Sequence, residues 1–358
     1  MIILNYGDEI AKATYETLAA SDIKKYLKTS MTVAIKPNLV VPRPPYDGAT
    51  THTEVVEGII LFLRDFGCEK IKIIESAWVG DSTKMALQVC GYDTLIKKYD
   101  IPFVDLKDDG YRELKYGGLK IAINNEALDT DFLINVPVLK AHCQTKLTCC
   151  MKNLKGCIPD SEKRRFHTLG LDKPIAVLNA LLKPGYNVID GICGDLSFEE
   201  GGTPVVSNRI LAGRDPMLLD SYCAELIGYN PDEIGYLKYA KKIGLGEYFS
   251  AQSELIELNA DKKPVHTPCK RRLSDKYAVY IEDDAACSAC YSSLVRALHR
   301  TGAKKGKEKI RIGQGFKGKH GDGIGIGTCA IGFSKSVAGC PPKVTDIIEF
   351  LDELRYFC

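Results

Sequence analysis

Between residues 31 and 260, short β-branched runs alternate with segments whose apolar residues recur at helical spacing. "MTVAIKPNLV" reads as a strand running into a loop. "TEVVEGIILFLRDFG" predicts an amphipathic helix that opens at Thr53 and closes on Gly67 as a C-cap. "KIKIIES" is the next strand, and a helix from Ser82 to about Cys90 follows it. Further strands are predicted at "LKIAI", "DFLINVPVL", "YNVIDGI" and "NRILAG". Further helices are predicted at "KPIAVLNALL", "DPMLLDSYCAELIG" and "NPDEIGYLKYAKKIG". This alternation implies an α/β fold, with a large mixed or mostly parallel sheet covered by helices on both faces. Ligands of such sheets sit in the loops beyond the carboxyl ends of the strands.

The pattern changes near "DKKPVHTPCKRRLSDK", which is polar, basic and holds two prolines. The expected division is an α/β domain over 1–260, a linker over 261–276 and a small domain over 277–358. The small domain is rich in Gly and Cys, with one clear helix, "VTDIIEFLDEL". A segment of this size rarely supports itself by core burial alone, and a metal cluster would supply the missing constraint.

An apolar fraction of 45% and a charged fraction of 26% fit a globular chain. A net charge of +2 argues against a protein whose main partner is nucleic acid. "MIILNYGDEIAKATYETL" meets acidic residues within ten positions, unlike a signal peptide, and "VVEGIILFL" is too short to span a membrane. The expectation is a cytoplasmic protein with no membrane partner. Fourteen cysteines in such a chain are not a disulfide framework. Cys68, Cys90, Cys193 and Cys223 read as small buried hydrophobes.

Other cysteines cluster. "CSACYSSLVRALH" places Cys287 and Cys290 at C-x2-C spacing, "GIGTCAIG" adds Cys329, and "VAGCPPKV" adds Cys340 before two prolines. Four thiolates are what one [4Fe–4S] cluster needs, and a Cys-Pro ending is typical of such sites. Structural zinc also takes four thiolates, but zinc ribbons use two C-x2-C knuckles, and here the second pair is split. Cys358 has no such context. "GQGFKG", Gly313 to Gly318, matches a dinucleotide-loop pattern, yet "KHGDGIGIG" after it is not a helix to receive a pyrophosphate.

The run "KLTCCMKNLKGCIPDSEKRRFH", residues 146–167, holds six cationic side chains, three cysteines and a histidine. It follows the strand "DFLINVPVL", where a site is expected. A helix over 144–154 would place Thr148, Lys152 and Lys155 on one side. Lys152 lies between Cys150, Met151 and Leu154, neighbours that would lower its pKa and make it a base or nucleophile. A solvated surface lysine fits the same spacing. Lys36 and Asn38 in "IKPNLV", with Asn153, are candidates to hold an anion, and Asp190 ends "YNVID" in the same set of loops. Asp215 and Asp220 bracket "DPMLLD", where Asp215 with Pro216 reads as an ordinary helix start.

The pieces "IKPNLV", "GATTHTEVVEGII", "IIES" with "GDST", "NVPVLKAH", "MKNLKGCIP" with "RRFH", "VIDGI" and "AGRDPMLLDSYCAELIG" resemble the DUF362 family. Many of its members carry an iron–sulfur domain, and "GTC" with "GCPP" extends the likeness to the C-terminus. The resemblance implies a fold and a site, not a reaction. A further similarity is to the lactate racemases that use a nickel-pincer nucleotide, where a His, a cofactor-bearing Lys and a second His have a spacing close to that of His142, Lys152 and His167. This chain departs from them: "LTCCM" replaces a glycine-rich stretch, and an arginine expected near "GATTHTEVV" is missing. That similarity implies only that the three residues line one cleft.

The expected function is an iron–sulfur oxidoreductase, anaerobic in habit. Its cluster would exchange electrons between a partner protein and an anionic small molecule held by Lys152, His142 and His167. An electron carrier with a docking domain, and a non-redox enzyme that uses Lys152 beside a structural or Lewis-acid cluster, are the alternatives. The lysine–histidine set favours an enzyme over a carrier.

Overall fold

The computed structural model describes the chain except residues 197, 198, 200, 202, 203, 265–275, 303–307, 355, 357 and 358. Most of the 261–276 segment, with Cys269 and Cys358, therefore lies outside the described residues. Two compact units emerge: Met1–Lys163 with Asp172–Cys269, and Arg164–Leu171 with Lys270–Cys358.

The strands of the first unit are β1 (Ile2–Tyr6), β2 (Val33–Lys36), β3 (Ile71–Glu75), β4 (Phe103–Asp105), β5 (Tyr111–Tyr116), β6 (Leu119–Asn124), β7 (Phe132–Asn135), β8 (Lys140–His142), β9 (Lys146–Thr148), β10 (Tyr186–Asp195), β11 (Pro204–Gly213) and β12 (Leu255–Leu258). Eight of them form one mixed, mostly parallel sheet in the order β12-β1-β11-β10-β7-β2-β3-β4. Only β11 runs against its neighbours β1 and β10, because the short β10–β11 connection allows nothing but a hairpin. β1, β2, β7 and β10 are buried along their whole length, as a sheet covered on both faces requires. The helix Thr53–Phe66 buries Val55, Val56, Ile59, Ile60, Phe62 and Leu63 and ends on Gly67 in the left-handed conformation. Six such side chains are worth roughly 10 kcal/mol, against about 1 kcal/mol for a cap, so packing holds this helix.

Three predicted elements differ, each for a local reason. "LKIAI" is β6, which pairs with β5 in a separate two-stranded ribbon, because Gly117 and Gly118, both at positive φ, make a tight hairpin turn. "DFLINVPVL" stops as a strand at Asn135, since Pro137 has no N–H to donate. One bridge, Val138 to Asp190, continues its line. Residues 144–154 are not one helix. β8 and β9 form a hairpin, and only a single helical turn, Cys150–Asn153, follows before a 3₁₀ turn over Leu154–Cys157.

The second unit carries a four-stranded parallel sheet, β13 (Ile281–Asp283), β14 (Ile310–Ile312), β15 (Gly321–Ile326) and β16 (Phe333–Val337), in that order. Besides the helix Val344–Glu353 it has a second one, Ser288–Arg300, which opens inside "CSACYSSLVRALH" and ends one residue beyond it. Leu294, Val295 and Leu298 of that helix are fully buried, as are Ile310, Ile312, Ile326, Ile347 and Leu351, so this unit has an apolar core of its own. "GQGFKG" runs through a 3₁₀ turn into β15 and opens no helix. Among the described residues, no helix is long and apolar enough to cross a membrane.

Candidate functional site

Lys152 sits on the single turn Cys150–Asn153 and is only 9% exposed. Its Nζ donates to Thr148 Oγ1 at 3.3 Å, so the two meet although Thr148 belongs to β9 and not to a helix. Opposite Thr148 in the β8–β9 hairpin stands Lys140, and His142 ends β8. Glu199, in the β10–β11 connection, joins them. It accepts from the Cys143 backbone N–H at 3.1 Å and from the Cys143 thiol at 2.8 Å, and its Oε1 lies 3.5 Å from His142 Nε2. His142, Cys143 and Glu199 are all buried.

Two features bring Glu199 here. Lys140 Nζ donates to the carbonyls of Ala49 and Glu199, pinning the loop at its backbone. Gly194 and Gly201 let the chain close in: a Cβ would lie 2.0 Å from the Leu139 carbonyl at the first and 2.4 Å from the Asp47 carbonyl at the second. The histidine tautomer is also set locally. His142 Nδ1 accepts two backbone N–H groups, from Gln144 and Thr145, each at 3.1 Å, which leaves the neutral ring's proton on Nε2, toward Glu199.

Burial pushes the Lys152 ammonium down to about 8, with the charges of Glu199 and Cys143 resisting the fall. Near neutral pH this amine can hold an anion as a cation or, deprotonated, take a proton or attack a carbonyl.

Other residues expected to bind are engaged within the fold. Lys36, expected to hold an anion, is fully buried in an ion pair with Glu75 at 2.9 Å and also donates to the Pro37 carbonyl. A lone buried charge costs far more than a paired one, which is why Glu75 accompanies it. Asn153 donates to Asn135, and Asn135 to Asn187, forming a buried amide chain across the strand ends. The Asn38 N–H donates to Thr51 Oγ1. Asp190 accepts His52 Nδ1 and the His52 N–H, both at 2.8 Å, and the Ile192 N–H at 3.1 Å. Burial opposes charge on His52, but Asp190 outweighs it and raises the imidazole's pKa. Asp215 caps its helix by accepting from Met217 and Leu218. His167, on the helix Asp160–Thr168, belongs to the second unit.

Sequence reasoning missed Glu199, Cys143, Glu75 and His52. Two signals were present: His52 stands inside "GATTHTEVV", and "FEEGG" places acids beside glycines between two strands.

A second buried group lies behind the Lys152 turn. Asp220 accepts the N–H groups of Cys150 (2.7 Å) and Met151 (3.0 Å) and the Tyr236 hydroxyl (3.4 Å). Cys149 and Cys150 Sγ are 4.0 Å apart, and Cys223 lies beside Cys149. Burial raises all three thiols, and it pushes the Cys157 thiol up to about 12.

The four C-terminal cysteines have a different setting. Cys287 is the N-cap residue of the helix Ser288–Arg300, and Cys290 stands in its first turn. Burial and the neighbouring Cys340 raise Cys329, and Lys317 counters them. A Cβ on Gly327, at φ +90°, would lie 3.5 Å from the Gly339 carbonyl and 3.9 Å from both Cys290 Sγ and Pro342 Cδ. The helix start bearing Cys290 and the loops bearing Cys329 and Cys340 therefore converge, with Cys287, Cys290 and Cys329 half-buried and Cys340 exposed.

A family model described as a domain of unknown function, DUF362, matches residues 33–225, more than half of the chain. The chain belongs to the DUF362 family. The matched span holds Lys152, His142, Cys143, Glu199 and Asp220, and ends before residues 270–358. A thylakoid-associated protein of Synechocystis sp. is 26% identical over 231 residues, covering 62% of this chain and 70% of that protein. Among solved structures, the lactate racemase apoprotein of Thermoanaerobacterium thermosaccharolyticum is similar with a TM-score of 0.42 and 14% identity over 63% of this chain. A Thermotoga maritima protein is similar with a TM-score of 0.39 and 13% identity over 66%. The likeness spans 56% and 60% of those two chains, less than two thirds of either.

Proposed function

We propose that this DUF362 protein is an iron–sulfur oxidoreductase acting on an anionic small molecule. Lys152 is the substrate-contacting cation, and His142 and Glu199 are the proton-handling groups beside it. The observation that carries the reading is the buried Lys152 ammonium, pushed down to about 8 beside Glu199 and Cys143. An ordered protein rarely keeps such a charge with only a hydroxyl as its hydrogen-bond partner among the described residues unless a ligand uses it. As a cation, Lys152 binds and orients the anion. As a neutral amine, it accepts a proton from the substrate, while His142 holds its Nε2 proton toward Glu199.

Cys287, Cys290, Cys329 and Cys340 would hold one [4Fe–4S] cluster. The fit rests on their convergence, their partial exposure and the glycine backbone beside Cys290. Such a cluster supplies or takes up one electron at a time, and an electron donor or acceptor protein would complete the circuit. Protein purified without oxygen should contain about four iron atoms and four acid-labile sulfides per chain. Stoichiometric zinc with no visible absorbance would contradict the assignment.

A second reading, a non-redox enzyme, is favoured by the same lowered Lys152 pKa, which also suits a Schiff-base nucleophile. Borohydride trapping of small oxo acids separates the two. A covalent adduct on Lys152 supports the Schiff base, and its absence together with a redox-active cluster supports the oxidoreductase.

A further inference from the structure

Two groups in the first unit each bring three metal-ligating atoms within 4.8 Å of one another: His142, Cys143 and Glu199, and Cys149, Cys150 and Asp220. The first suits hydrogen bonding better than a metal. A ligating imidazole must offer a lone pair, and the one His142 has, on Nδ1, already takes the Gln144 and Thr145 N–H groups.

The second group meets the requirements of a metal site. Bonds of about 2.3 Å from zinc to thiolate at tetrahedral angles place two sulfurs roughly 3.8 Å apart. Cys149 and Cys150 Sγ stand 4.0 Å apart. Asp220 lies against both thiols. A fourth donor is near: Cys223, one turn after Asp220 on the helix Pro216–Leu226, lies beside Cys149 but outside the 4.8 Å group, so its thiol must close in by side-chain rotation to ligate. All four residues are fully buried. Asp220 is already oriented by the Cys150 and Met151 N–H groups and the Tyr236 hydroxyl, as the outer partners of metal ligands do. A carboxylate has about four lone-pair positions, so these three bonds leave one for a cation.

We propose that Cys149, Cys150, Cys223 and Asp220 form a tetrahedral site of three sulfurs and one oxygen for a zinc-class divalent cation. It uses none of the cysteines assigned to the cluster. As the cation binds, each thiol releases its proton to solvent, so occupancy rises with pH. The site ties the helix Pro216–Leu226 to the turn that carries Lys152 two residues after Cys150. The cation would therefore position that lysine without touching substrate.

The test uses the full chain carrying Cys287→Ser, Cys290→Ser, Cys329→Ser and Cys340→Ser, stripped with a chelator and titrated with Co²⁺. The expected result is one equivalent bound, with thiolate-to-cobalt absorption and tetrahedral d–d bands that Zn²⁺ displaces. Adding Cys149→Ser and Cys223→Ser should abolish both. Cys223→Ala alone, a change that a packed core tolerates, should weaken binding at least tenfold, and Zn²⁺ should raise the melting temperature of the parent far more than that of this variant. No bound equivalent, or cobalt that survives loss of Cys149 and Cys223, overturns the proposal.

Discussion

The described cysteines of this chain live in two environments. In the first unit Cys68, Cys90, Cys143, Cys149, Cys150, Cys157, Cys193 and Cys223 are buried, whereas in the second Cys287, Cys290 and Cys329 are half-buried and Cys340 is exposed. Burial disfavours the thiolate, which is both the nucleophile and the metal ligand. A buried thiol is therefore inert unless a bound cation holds it as the thiolate. A half-exposed thiol at a helix N-terminus or in a glycine loop can take up a cluster from solution. The same residue type thus fills a core in one unit and is open to assembly in the other.

The sharpest way to break this comparison is to remove thiols one at a time. Serine at Cys287, Cys290, Cys329 or Cys340 should cost most of the iron and the visible colour of anaerobically purified protein, while Cys68→Ser and Cys193→Ala should leave iron content unchanged. Elemental analysis with an absorption spectrum decides it. If Cys68→Ser loses iron as readily as Cys290→Ser, the two environments are not distinct.

Thiol labelling of cluster-free protein gives the next largest effect. With its thiol pushed up to about 12, against an ordinary value near 9, Cys157 should carry about 10³-fold less thiolate than an unshifted cysteine. Cys340, which is exposed, should react with maleimide at least a hundredfold faster than buried Cys157 at pH 7.5, as read by peptide mass spectrometry. Equal rates would show that burial does not control these thiols.

A smaller effect concerns the buried cation. A lysine lowered from 10.5 to about 8 costs the folded state roughly 3 kcal/mol while it is charged. The folded state binds fewer protons than the unfolded one between about pH 8 and 10.5, so this penalty is full below pH 8 and is relieved as pH rises through that window. Lys152→Met should stabilise the protein by up to about 3 kcal/mol at pH 7 and by progressively less toward pH 10, in urea titrations. Destabilisation at pH 7 would mean that the lysine is held by partners as a structural ion.

The α/β architecture was legible because β-branched runs and 3.6-residue periodicity agree over most of residues 31–260. What periodicity could not show was where backbone pairing overrides a helical pattern. "KAHCQTKLTCCMKN" carries helix-compatible spacing, yet β8 and β9 pair with each other, and the helix shrinks to one turn. Lys152 could be picked out because its apolar neighbours are adjacent in sequence. Glu199 and Glu75 could not, since they reach Cys143 and Lys36 across 56 and 39 residues. The Lys36–Glu75 pair was hidden for the same reason: a strand-end lysine looks alike in sequence whether its partner is a ligand or a distant glutamate.

The claim at the centre of this account is that Lys152 is a desolvated amine poised for chemistry. Competitive amine labelling of the native protein across a pH series, read peptide by peptide against Lys97 and Lys241, tests it most directly. The account predicts half-maximal reactivity of Lys152 near pH 8, well below those two lysines. A Lys152 profile that coincides with theirs would contradict it.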